Sequence, residues 1–123
     1  MPEKNVIVRN RAEVAAMDCP YGTTERIVTA GEGGVANVHV VTVTRGTPHF
    51  HQGYDETYYV LSGSGKLVCD GKEYRLSQGS VSIIPAGVVH SLESDSEKPL
   101  EFVIFGTPPL SLDDAQARPK KPL

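Results

Sequence analysis

The sequence predicts an all-β domain of short antiparallel strands, and three observations carry that prediction. Twelve glycines and nine prolines among 123 residues supply turn chemistry along the whole chain. Short β-branched runs, such as Ser80-Val-Ser-Ile-Ile84 and Asn37-Val-His-Val-Val41, lie between those turns. Asp70-Gly71 then gives the best hairpin signal, because a two-residue type I′ turn needs positive φ at both central positions.

In chain order the sequence divides into an arm, residues 1–21, a strand-rich domain, residues 22–106, and a tail, residues 107–123. Within the arm, Val6-Ile7-Val8 is expected to add a strand to a sheet edge, and residues 11–17 to make one or two helical turns. Strands are expected over residues 25–29, 35–45, 50–51, 57–62, 65–69, 73–76, 80–84, 90–93 and 100–106. Glycine-bearing turns separate them at 31–34, 62–65, 70–71, 77–79 and 85–87. The tail carries Pro108-Pro109 and Pro119-Lys-Lys-Pro122 and is expected to be mobile or docked on a partner subunit. No internal repeat is visible.

Composition bounds the function. A chain of this length makes one domain with a sizeable core. Net charge is −3 with both signs mixed along the sequence, which argues against nucleic-acid binding. No apolar run approaches the ~18 residues of a membrane span, and the polar N-terminus lacks a signal-peptide core, so a cytoplasmic location is expected. In that compartment Cys19 and Cys69 are expected as free thiols, with Cys69 a small buried strand residue.

The chemistry concentrates in two segments. His49 and His51 are two residues apart, so an extended backbone presents both imidazoles to one point. Glu56 follows across the polar turn Gln52-Gly53-Tyr54-Asp55. His90 comes from a second segment, where Pro85 and Gly87 break one strand before Val88-Val89-His90 starts the next. Three neutral imidazoles and one carboxylate suit a single divalent transition metal, Fe(II), Mn(II), Ni(II), Co(II) or Zn(II), with positions left open for a ligand. Because the imidazoles must be neutral, metal affinity is expected to fall below about pH 6.

These two segments resemble the paired motifs of the cupin superfamily. The first reads His49-Phe50-His51, four residues, Glu56, six residues, Gly63; the second reads Gly79, five residues, Pro85-Ala86-Gly87, two residues, His90. Two positions depart from the family pattern. Two residues separate Gly46 from His49 where the pattern has five, and Ser94 stands where the second motif ends in asparagine. The resemblance spans residues 25–106. It implies a single antiparallel β-barrel of jelly-roll type over residues 22–106, with His49, His51, Glu56 and His90 as metal ligands. It also implies a small-molecule ligand or substrate, and a homodimer paired through strands of the arm.

Residues around the motifs complete the expectation. Tyr58 shares the face of Glu56 by period two and should point into the cavity, where its phenol would hold substrate or act as general base beside Glu56. Some cupin lyases acting on small sulfur zwitterions resemble this arrangement. Tyr59 should face the other way, and Phe50 should be core. His39 is a second-line candidate for the pocket wall, and Arg26 and Arg45 are candidates to clamp an anionic substrate, with solvated positions the simpler expectation. On function, the resemblance implies an enzyme acting on a small polar metabolite that chelates the metal. Dioxygenase chemistry leads, followed by sugar isomerase, epimerase or lyase chemistry. The rival is a non-catalytic ligand-binding cupin.

Overall fold

The computed structural model describes residues 6–19 and 21–109. It is built from nine strands: β1 (Met17–Cys19), β2 (Gly22–Val28), β3 (Asn37–Val43), β4 (Asp55–Ser62), β5 (Gly65–Cys69), β6 (Lys72–Leu76), β7 (Val81–Ile84), β8 (His90–Ser94) and β9 (Leu100–Thr107). All pair antiparallel, in a six-stranded sheet of order β1-β2-β3-β9-β4-β7 and a three-stranded sheet of order β6-β5-β8. The last strand sits between β3 and β4, and β5 sits between β6 and β8, so chain order and spatial order interleave as in a jelly roll. Two isolated bridges, Arg45 with Glu93 and His49 with His90, tie the sheets together without closing them into one continuous ladder.

Period-two alternation explains which faces meet. Val41 and Val43 of β3, Tyr58 and Val60 of β4, and Leu100, Phe102 and Ile104 of β9 turn inward against Leu67, Leu76 and Leu92 of the smaller sheet. Leu100 and Phe102 are fully buried, and each such side chain contributes about 1.5–3 kcal/mol. The Asp70-Gly71 hairpin forms as the sequence predicts, with φ of 48° and 85° joining β5 to β6. No helix among the described residues is long and apolar enough to cross a membrane. Cys19 and Cys69 are free, half-buried thiols packed against the core.

Several local expectations are corrected. Val6-Ile7-Val8 pairs with no strand of its own chain, and Val6 and Val8 stand in solvent. Residues 11–17 yield only the 3₁₀ turn Arg11–Glu13, capped by the Asn10 side chain accepting from the Ala12 N–H. Residues 50–51 lie outside every strand, because their segment pairs only through the His49–His90 bridge. In exchange, Met17–Cys19 forms an edge strand that the sequence did not advertise. The tail from residue 110 onward lies outside the described residues.

Candidate metal centre

Backbone hydrogen bonds join the two motif segments before any side chain is considered. His49 N–H donates to His90 O at 3.0 Å, and His90 N–H donates back to His49 O at 2.8 Å. Gly87 N–H donates to His51 O at 2.7 Å, and Ala86 N–H to the Asp55 carboxylate at 2.9 Å. The Pro85–Gly87 turn is therefore fastened onto the loop that carries His49 and His51. Gly87 makes this possible with φ of 88°, a conformation that disfavours any side chain.

The result is a buried cluster. One nitrogen from each of His49, His51 and His90 lies within 4.8 Å of the others. Glu56 Oε1 stands 3.3 Å from His51 Nε2 and 3.2 Å from His90 Nε2. All four residues are at most 5% exposed. The three second ring nitrogens are each engaged outside the cluster. His49 Nδ1 pairs with Thr47 O at 3.0 Å, His90 Nδ1 with Val88 O at 2.8 Å, and His51 Nδ1 with the Tyr54 hydroxyl at 3.0 Å. A carbonyl accepts only from N–H, so His49 and His90 each carry a proton on Nδ1, which leaves Nε2 of each to face inward. His90 Nε2 is buried with no hydrogen bond of its own. This is the donor set and outer hydrogen bonding that hold a transition metal, and the residues fit one.

Electrostatics favour a neutral His49 beside an ionised Glu56. Burial, reinforced by the neighbouring His90, pushes His49 down to about 4. Burial would raise Glu56, but N–H donation and positive charge from His51 and His90 outweigh it and hold the carboxyl far below the usual range, the part a bound cation would play.

Tyr58 points into the domain interior, fully buried, as period two predicts, and its hydroxyl donates to Glu56 Oε1 at 2.9 Å. Its phenol is driven well above 10, by burial first and by Glu56 next. Tyr59 faces outward and is half-exposed, and Phe50 is buried. His39 shares the inner face of Val41 and Val43, opposite Arg26 on β2 and Ile104 on β9. Burial lowers it to about 4. Arg45, by contrast, is exposed and pairs with Glu93 at 3.2 Å on the surface, away from the cluster.

Two site residues escape a reading of the sequence. Tyr54 stacks on His51 with ring centroids 4.8 Å apart, as well as meeting its Nδ1. Its only signal is a tyrosine inside an otherwise polar turn three residues after a ligand-type histidine. Tyr21 lies 3% exposed, 4.6 Å from the His49 ring centroid, and its hydroxyl meets that of Tyr58 at 3.1 Å. No local pattern marks it, since its place depends on the β1–β2 pairing. Gly46 explains how it fits: a Cβ there would stand 2.3 Å from the Tyr21 ring. Ser94, in place of the pattern's asparagine, takes a capping role, its hydroxyl donating to the carbonyls of Ser96 or Lys98 and accepting from the Ser96 N–H.

A jelly roll wrapped around a histidine–carboxylate cluster defines a broad class of small β-domain proteins. Within it, this chain belongs to the cupin family: the family's cupin-domain model matches residues 36–106. An uncharacterised protein of Aquifex aeolicus is 30% identical over 95 residues, 66% of this chain and 78% of the relative. Quercetin 2,3-dioxygenase of Bacillus subtilis is 40% identical over 48 residues, 39% of this chain but 14% of that enzyme. Matches to further curated relatives span between 18% and 54% of the relative's own length. Among solved structures, ectoine synthase from P. lautus superposes with a TM-score of 0.76 at 19% identity, over 91% of this chain and 87% of that one, a likeness of fold.

Proposed function

We propose that this cupin is a mononuclear metalloenzyme in which His49, His51, Glu56 and His90 hold one divalent transition metal, and that a small polar metabolite chelates the metal as substrate. The observation that carries the reading is the arrangement of the ring nitrogens: every Nδ1 has a partner outside the cluster while the inner nitrogens converge beside Glu56. Dioxygenase chemistry is the leading form of the proposal, supported by the likeness to a quercetin dioxygenase segment. When bound, Fe(II) would supply oxygen chemistry, whereas Zn(II) would supply only Lewis-acid chemistry. The chain's own residues orient and hold protons. Tyr54 sets the tilt of His51, and Tyr58 fixes one oxygen of Glu56 by donating to it.

A second reading, isomerase, epimerase or lyase, is favoured by one specific feature. The Tyr21–Tyr58–Glu56 chain of hydroxyls and carboxylate is a proton-holding network beside the cluster. Metal analysis of protein purified without chelator, followed by dioxygen uptake after Fe(II) reconstitution, separates the readings. Bound metal with uptake supports a dioxygenase. Bound metal without uptake in a panel of chelating metabolites moves the assignment to the second reading. A protein that takes up no metal sinks both. His49→Ala tests the rival of a non-catalytic binding module, which should keep its ligand without metal.

A further inference from the structure

On the inner face of β2 and β3, next to the histidine cluster, three polar side chains are left without partners. Thr24 is 3% exposed, and its hydroxyl makes no hydrogen bond among the described residues. His39 Nε2 is likewise buried and unpaired. Arg26 stands directly opposite His39, half-buried, with no ion pair or hydrogen bond among the described residues. Leaving a buried donor or acceptor unpaired costs about 1–3 kcal/mol each, so two on one face of a small domain call for an explanation.

The register shows where they point. One row across the sheet runs Tyr58, Ile104, His39, Arg26, and the next runs Val60, Phe102, Val41, Thr24. Residues directly opposite in an antiparallel ladder share a face, so Thr24 and Arg26 look into the same interior as Tyr58. The β2–β3 register slips between Arg26 and Val28, a bulge immediately beside Arg26. Bulges re-aim a side chain at the strand where they occur. His39 stands in that first row directly beside Arg26, with Ile104 and then Tyr58 on its other side.

We propose that Arg26, Thr24 and His39 form a carboxylate subsite that holds the end of the substrate remote from the metal. This rests on the metal-site reading above and adds the substrate class: a short acid that chelates at one end and carries a carboxylate at the other. The chemistry favours carboxylate over phosphate. Arg26 is the one cation on these facing rows, and its planar fork matches two carboxylate oxygens, with the Thr24 hydroxyl as a further donor. A phosphate dianion would call for a second cation that the rows do not provide.

The test is calorimetry on the full chain. Co(II) alone is titrated first, and failure to bind overturns the metal-site reading and this proposal together. With Co(II) bound, lactate is compared with 2-hydroxymalonate, malate and 2-hydroxyglutarate, which keep the hydroxy-acid chelate and add a second carboxylate at increasing distance. At least one diacid should bind tenfold or more tightly than lactate. That advantage should vanish in Arg26→Met, survive in part in Arg26→Lys, and shrink in Thr24→Val, while lactate and Co(II) affinities stay within about twofold. Thr24→Val removes an unpaired buried hydroxyl, so the variant should melt no lower than the parent even as it loses discrimination. A purely structural Thr24 would instead lower the melting temperature and leave the acids unchanged. Equal binding of lactate and all three diacids, or a diacid advantage untouched by Arg26→Met, overturns the subsite alone. Inorganic phosphate binding more tightly than the best diacid overturns the carboxylate assignment.

Discussion

Tyr58 and Glu56 are joined by a 2.9 Å hydrogen bond inside the domain, the phenol donating and the carboxylate accepting. They sit two residues apart on one face of β4, so the strand itself sets the pairing. Tyr58→Phe keeps the ring and deletes the donor. Metal affinity is expected to fall on the order of 10-fold, because a carboxylate without its outer hydrogen bond is less well oriented. Competition with a chromophoric chelator measures it, and an unchanged affinity would count against Glu56 as a ligand.

Tyr54→Phe isolates the other outer hydrogen bond. The ring stays stacked on His51, while Nδ1 loses its hydroxyl partner. Metal affinity is expected to drop about 10- to 100-fold with the thermal midpoint of the metal-free protein nearly unchanged. A large fall in that midpoint would instead make Tyr54 a packing residue.

Gly46→Ala probes the placement of Tyr21. The added methyl would stand 2.3 Å from one Tyr21 ring carbon and 3.0 Å from another. Ring and backbone must move apart, at a cost of about 1–3 kcal/mol. Urea unfolding gives the value. A neutral substitution would show that Tyr21 repacks freely.

The metal-free protein should weaken on the acid side of neutrality. His39 and His49 are both lowered to about 4, chiefly by burial, against an unfolded value of about 6.5. The unfolded chain therefore binds more protons between those limits, so stability is full above about pH 6.5 and is lost progressively down to about pH 4. Each histidine accounts for roughly 3 kcal/mol over that window. His39→Phe should remove the share of His39 and flatten the pH dependence of urea unfolding. At His49, direct proton competition with a metal belongs near pH 4 rather than pH 6, so metal lost at higher pH would report unfolding or the other ligands.

Legibility in the sequence followed the range of the interactions. Asp70-Gly71 and Pro85–Gly87 act through their own backbones, and both turns stand where turn chemistry places them. His49, His51, Glu56 and His90 were readable from spacing, and they do converge. The parity of Tyr58 and Tyr59 also follows from one strand alone. By contrast, Tyr21 reaches His49 only through the pairing of β1 with β2, which no short pattern encodes. Val6-Ile7-Val8 has strand propensity, yet it pairs with no strand of its own chain, because pairing needs a partner edge that propensity does not supply. The inward face of Arg26 likewise depended on register, including a bulge that composition cannot show.

The reciprocal backbone bonds between His49 and His90 have a kinetic meaning. The full cluster cannot assemble until segments on opposite sides of β4–β7 have docked, so it depends on a contact long in sequence, of the kind that carries the entropy cost of loop closure. A partly folded chain holds at most His49, His51 and Glu56 from one side, or His90 from the other. A metal that binds only the joined set would therefore select for finished molecules, slowing their unfolding while leaving the rate of the earlier hairpin steps untouched.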